Sequence, residues 1–305
     1  MDETIRFNSQ GETLAGVLTK PDGATGKLPL VIMAGGWCYV KELVMPHYAK
    51  FFHEIGCATL RFDYRNFGDS TGERRQHLNP WEQIEDYRNA ISWAETRDDI
   101  DASKIGVWGI SYSGGHVLVV SALDPRVKFA ISTIPVIDGF QTMRRVHGEA
   151  RFAELNRLAL ADRRKRAAGE PGDPLPMSST TPYTELSTWP VPLCYTVFND
   201  IKAREAPNHE HWNTTESFEL LLQYNAIPYA QRITETPILM TVAAGDNITS
   251  ADLEAAAFNA ITNPNKKFVG VEGVTHMSLY SDVNDLGKVG RVQGAWLKET
   301  LAHHS

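Results

Sequence analysis

Ser111 lies in the run Gly109-Ile110-Ser111-Tyr112-Ser113-Gly114-Gly115, between an apolar stretch at 104–108 and another at 116–123. The first stretch predicts a buried strand and the second a buried helix, so the serine falls at a sharp strand-to-helix turn. Such a turn strains the backbone and presents the serine oxygen at its apex. It is crowded, and small residues are required two positions away. Gly109 on one side and Ser113-Gly114-Gly115 on the other meet that demand. The amide of Tyr112 would face the carbonyl under attack, at a helix N-terminus whose dipole favours negative charge. Taken alone, the same run also fits a plain Gly/Ser connection, and the rest of the chain separates the two readings.

A serine nucleophile needs a base, and the base needs a carboxylate to orient it. Asp246 lies in the loop 243–249, after an apolar strand predicted at 238–243. His276 closes the loop 273–276, after a strand predicted at 267–271, and it alone of the ten histidines lies in the loop directly after the last predicted strand. The chain order is therefore serine, acid, histidine. Asp138, after an earlier strand, is the alternative acid, whereas Asp282 reads as a solvated loop residue.

The elements that must position these groups follow a regular alternation. A hairpin is predicted from 4–7 and 14–18 around a polar turn at 9–12. Strands at 28–33, 57–63, 104–108 and 127–134 alternate with helices at 46–55, 80–96 and 116–123. The strands are continuously apolar, as expected in a parallel sheet covered on both faces. Ligands bind such sheets beyond the carboxyl ends of the strands, and the segments 34–37, 66–70 and 109–115 all fall there. Between 138 and 232 the pattern changes: a charged helix at 141–168, a Pro/Ser/Thr-rich stretch at 169–192 and a helix at 217–224. This predicts an insertion above the sheet. Alternation resumes with strands at 238–243 and 267–271 and helices at 250–260 and 286–301. The expected organisation is a core of 1–137 and 233–305 with a partly helical cap of 138–232.

With these motifs in place, the whole chain resembles an α/β-hydrolase-fold protein, which implies a mostly parallel central sheet flanked by helices. Residues 30–37 match the strand that ends in that family's oxyanion loop. Residues 61–70 (RFDYRNFGDS) resemble its D-x-R-G-x-G-x-S segment, with Asn66 in place of a glycine. More narrowly, 40–42, 109–115, 217–219 and 236–240 are similar to a subgroup of small-molecule hydrolases that includes fungal polyketide transferases and their bacterial relatives. The resemblance implies Ser111 as nucleophile, Asp246 as acid and His276 as base. It also implies the backbone amides of Tyr112 and Trp37 as oxyanion donors, because Gly35-Gly36-Trp37 aligns with the family's His-Gly-x. Tyr39, Phe67, Met143, Trp189 and Trp212 are candidates for the substrate pocket, with Tyr195 and Phe198 as further aromatic residues of the insertion.

The expected activity is hydrolysis of a carboxylic ester, lactone or thioester of a small, mainly apolar molecule through an acyl-enzyme. Acyl transfer and carbon–carbon bond hydrolysis use the same triad and stay open, as does a binding protein on a hydrolase fold. A peptidase is disfavoured. The formal net charge of -7 argues against nucleic acid as a partner. His209-Glu210-His211 alone is too sparse to suggest a metal, so no metal and no cofactor are expected. Three well-separated cysteines, no signal peptide and no membrane-length apolar run suggest a cytoplasmic protein without membrane partners. A homodimer through an exposed apolar part of the insertion or the last helix stays open.

Overall fold

The computed structural model describes residues 2–303. Strands β1 (Asp2–Ser9) and β2 (Glu12–Thr19) pair antiparallel, with Ser9 opposite Glu12. Gln10 and Gly11 join them with φ of 54° and 97°, matching the strand twist that a two-residue turn must follow. Then come β3 (Leu28–Ala34), α1 (Met45–His53), β4 (Ala58–Phe62), α2 (Pro80–Glu95), β5 (Ile100–Ile110), α3 (Tyr112–Leu123) and β6 (Ala130–Thr133). The span between β6 and the next strand of the main sheet holds α4 (Gly139–Ala167), β7 (Pro174–Pro176), α5 (Pro192–Arg204), β8 (Trp212–Thr214), α6 (Thr215–Leu222) and α7 (Ile227–Ala230). The chain continues through β9 (Ile238–Ala243), α8 (Ala251–Ala260), β10 (Lys266–Val271), α9 (Ser278–Ser281) and α10 (Val283–His303).

The main sheet has eight strands in the order β1-β2-β4-β3-β5-β6-β9-β10. From β4 to β10 every neighbour is parallel, whereas β2 pairs antiparallel with both β1 and β4 and so runs against the rest. Every residue of β4, β6 and β9 is buried, which explains why these strands are written without polar alternation. Helix α2 shows how local signals set an element. Asn79 caps it by accepting the Trp81 N–H, and Pro80 opens the first turn, where no N–H is needed. Its face of Ile84, Tyr87, Ala90, Ile91 and Ala94 packs into the core, at about 1.5–3 kcal/mol for each large apolar side chain buried. Tyr87 also donates through Oη to the Trp108 carbonyl at 2.7 Å, tying the helix to β5.

Several boundaries differ from the sequence expectation. β5 starts at Ile100 rather than 104, because Ile100 already pairs with Leu28 ahead of a register irregularity. β6 covers only part of 127–134; it ends where Ile134 turns to a φ of 40° before Pro135. The charged helix of the insertion breaks at Gly148, at φ 67° and ψ 165°. Among the described residues no helix is long and apolar enough to cross a membrane.

Candidate active site

Ser111 stands between β5 and α3 with φ 58° and ψ −118°, a strained conformation for a residue with a side chain. Two long-range hydrogen bonds hold it there. Its N–H donates to the Thr133 carbonyl at 2.9 Å, and its carbonyl accepts the Val136 N–H at 3.0 Å. Gly109 must lack a side chain, since a Cβ would collide with the Ser113 carbonyl. A Cβ on Gly36 would lie 3.0 Å from Ser111 Cβ and 3.3 Å from the Tyr112 nitrogen, so the loop after β3 rests directly on the elbow. Ser113, standing where glycine is commoner, has a use of its own. Its Oγ accepts the Ile110 N–H at 2.8 Å and donates to the Ala34 carbonyl at 2.7 Å, stitching the elbow to the end of β3.

Asp246 follows β9 and His276 follows β10, and the two meet: Nδ1 lies 2.8 Å from Oδ2. The other carboxylate oxygen accepts the N–H groups of Ile248 at 2.7 Å and Thr249 at 3.0 Å. Burial alone would raise the Asp246 pKa. The His276 ring, its hydrogen bond and the two amides outweigh burial and hold the carboxyl at about 2. An ionised Asp246 fixes the ring proton on Nδ1 and leaves Nε2 as the acceptor. Asp138, the alternative acid, is used elsewhere. It caps α4 through the Gln141 N–H at 2.9 Å and takes the Asn225 amide at 3.1 Å. Asp282 accepts the Asn284 N–H at 2.8 Å as the chain enters α10. The sequence reading did not single out Glu254, a buried carboxyl behind Asp246 that accepts the Thr249 hydroxyl at 3.0 Å. Burial, then the charge of Asp246, push its pKa well up.

The loop after β3 is gripped from both sides. Gly35, where the family often has histidine, has no room for any side chain, because a Cβ would fall against the ring of Tyr39. Trp37 donates through Nε1 to Asn213 Oδ1 at 2.8 Å, and the Cys38 carbonyl accepts from His209 Nδ1 at 3.0 Å. On the sheet side the Lys41 N–H donates to Asp63 Oδ1 at 2.6 Å, and its ammonium pairs with Asp63 Oδ2 at 2.9 Å. Burial raises Asp63 to about 6 against the pull of Lys41. His209 and His211 form a relay rather than a chelate. His209 Nε2 sits 3.1 Å from His211 Nδ1, and His211 Nε2 sits 2.7 Å from Ser178 Oγ. Burial lowers them to about 3 and about 4, so both rings are neutral. Among the described residues no group of three or more His, Cys, Asp or Glu is placed to hold a metal ion.

Ser111 and His276 open into one shared cavity. Trp37, Tyr39 and Trp189 line it with them, as does Phe198 from α5. Met177, Ile248, Met277 and Tyr280 also line it, and sequence reasoning missed them. Ile248 lies two positions after Asp246 and Met277 directly after His276, a proximity that was there to be read. Phe67, Met143 and Trp212 do not line this cavity. Phe67 is buried in the loop after β4, Met143 is buried on α4, and Trp212 lies on β8 with its Nε1 donating to Glu210 at 2.8 Å.

Residues 10–276 match the protein family described as X-Pro dipeptidyl-peptidase (S15 family). The thiohydrolase aneE of Aspergillus aculeatus is 29% identical over 271 residues, spanning 85% of this chain and 79% of that protein. The polyketide transferase claH of Penicillium crustosum is 27% identical over 310 residues, spanning 98% and 97%. The crystal structure of the alpha/beta hydrolase GrgF from Penicillium sp. sh18 superposes with a TM-score of 0.83 at 24% identity, covering 99% of each chain. The fold is thus that of the α/β-hydrolases.

Proposed function

The chain belongs to the X-Pro dipeptidyl-peptidase (S15) family, and within it we propose a serine hydrolase that cleaves a carboxylic ester, lactone or thioester of a small, mainly apolar molecule. The observation that carries the reading is that His276, held by Asp246 at 2.8 Å, lines one cavity with the strained Ser111. His276 Nε2 takes the Ser111 proton as Oγ attacks the carbonyl. Asp246 keeps the tautomer and stabilises the imidazolium. The amides of Tyr112 and Trp37 hold the oxyanion, each donor contributing roughly 3 kcal/mol to the barrier. His276 then protonates the leaving alcohol or thiol, and a water deprotonated by the same ring releases the acid. Residues 138–232 serve as the cap over this site.

A dipeptidyl-peptidase must also receive a protonated amino terminus. Among the described residues no carboxylate lines this cavity, and apart from Ser111 and His276 its walls are aromatic, aliphatic or sulfur-bearing. Those walls favour an uncharged acyl group. The acyl-enzyme equally supports transfer to an alcohol or thiol, and the similarity to a protein named a polyketide transferase favours keeping that as the second reading. The test is a series of p-nitrophenyl esters from acetate to decanoate, with wild type and Ser111→Ala. Chain-length-dependent turnover that vanishes in the variant supports hydrolysis. A rate that rises with added alcohol in ping-pong fashion assigns transfer instead.

A further inference from the structure

Two residues that line the cavity carry polar atoms with no part in the chemistry above. The Tyr39 hydroxyl and the Trp189 indole N–H are buried, and neither meets a hydrogen-bond partner among the described residues. Tyr39 is 3% exposed and Trp189 4%, and both side chains line the cavity that holds Ser111 and His276. A buried donor left unpaired loses its bonds to water and gains none in return. Trp37 in the same wall avoids that loss, since Asn213 accepts its indole N–H.

The two groups are held in place. The Tyr39 ring meets Phe198 and Tyr280 edge-on, at centroid distances of 5.5 and 5.8 Å, and rests on the bare backbone of Gly35. The Trp189 ring stands edge-on to Trp37 at 6.2 Å, and its backbone N–H is fixed on the Met177 carbonyl at 2.8 Å. Tyr39 comes from the loop after β3 and Trp189 from the insertion, so the two donors belong to different parts of the fold. An indole N–H can only donate, and its complement must be an acceptor. With Met177, Val191, Phe198 and Ile248 around them and no lysine or arginine in the wall, that acceptor is uncharged.

Resting on the serine-hydrolase reading, we propose that Tyr39 Oη and Trp189 Nε1 are specificity-determining donors. They select acyl groups that carry a neutral oxygen, as a ketone, ether or hydroxyl, beyond the scissile carbonyl. A site built to hydrogen-bond such an oxygen discriminates against the plain alkyl analogue, which leaves the donors unpaired.

The test compares p-nitrophenyl hexanoate with its 3-, 4- and 5-oxo derivatives, each corrected for its rate with hydroxide, in wild type, Tyr39→Phe and Trp189→Phe. At least one oxo ester is expected to exceed hexanoate about tenfold in kcat/KM. At least one variant should lose about tenfold more on that ester than on hexanoate, and thermal melting verifies that both variants fold. Equal wild-type rates on plain and oxo esters, or a preference that survives in both variants, would overturn the proposal while leaving the hydrolase reading intact. No turnover of any ester, together with no phosphonate labelling of Ser111, would overturn the hydrolase reading and this proposal with it.

Discussion

Replacing Asn213 by leucine should damage catalysis without touching any reacting group. Asn213 is fully buried on β8, and its Oδ1 accepts the Trp37 indole at 2.8 Å and the Thr188 hydroxyl at 2.9 Å. Leucine has similar bulk but accepts nothing. The Trp37 N–H, in a side chain only 2% exposed, is then left unpaired at a cost of about 1–3 kcal/mol, and the Thr188 hydroxyl adds a comparable cost. The cost falls on stability if the loop holds its place. If the loop shifts to regain a partner, the Trp37 amide moves with its side chain, and loss of one oxyanion donor costs about 2.7–4 kcal/mol in the barrier. Gly36 lies against Ser111, so even a small shift reaches the elbow. The expected outcome is a kcat lowered about 10- to 1000-fold with KM within about threefold. Asn213→Asp, which keeps the acceptor, should recover most of kcat. The assay is steady-state ester hydrolysis alongside thermal unfolding. A variant that melts several degrees lower yet keeps kcat within about threefold of wild type would refute the idea that β8 positions the oxyanion loop.

Asp246→Asn should lower kcat by about 10³- to 10⁴-fold with little change in KM, because an amide stabilises the wrong tautomer and no imidazolium; steady-state rates within tenfold of wild type would show that another group orients His276. Stability should fall as the pH drops from 7 to 5. His116 and His209 are pressed from 6.5 to about 3, and His211 to about 4, in each case chiefly by burial, so the unfolded chain binds protons that the folded chain refuses. Their stabilisation is present above pH 6.5 and is lost as the pH falls towards those folded values, by about 2 kcal/mol each at pH 5. Asp63 works the other way. Its pKa, raised from 3.8 to about 6, gives back roughly 1 kcal/mol over the same interval. Urea unfolding across this pH range measures the sum, and a flat or rising stability towards pH 5 would contradict the assignment of neutral buried rings.

The core elements were legible because each carries its own local pattern, and the three residues proposed to react sit in patterns of the same kind. The elbow has its small residues, and the acid and histidine each follow an unbroken apolar strand. Asn66 could be recognised in a glycine's place because asparagine tolerates the left-handed φ of 71° it adopts there. The insertion resisted for physical reasons. β7 and β8 are three residues each and exist only through their mutual pairing, Leu175 opposite Asn213. Asn213 meets Trp37 across 176 positions of chain, and no spacing rule reports such a contact. α5 was different. Cys194, Val197, Phe198 and Ile201 bury one face at helical spacing, a period hidden behind the prolines that precede it. Aromatic residues in loops and very short strands, such as Phe67 and Trp212, carry no pattern that separates a pocket wall from packing.

The most direct measurement is the reaction of the folded protein with a fluorophosphonate, with the adduct located by peptide mass spectrometry. One adduct per chain is expected, on the peptide bearing Ser111, formed much more slowly in His276→Ala and absent in Ser111→Ala. No adduct on a folded wild-type protein, or labelling that persists in Ser111→Ala, would contradict a nucleophilic Ser111 activated by His276 and Asp246.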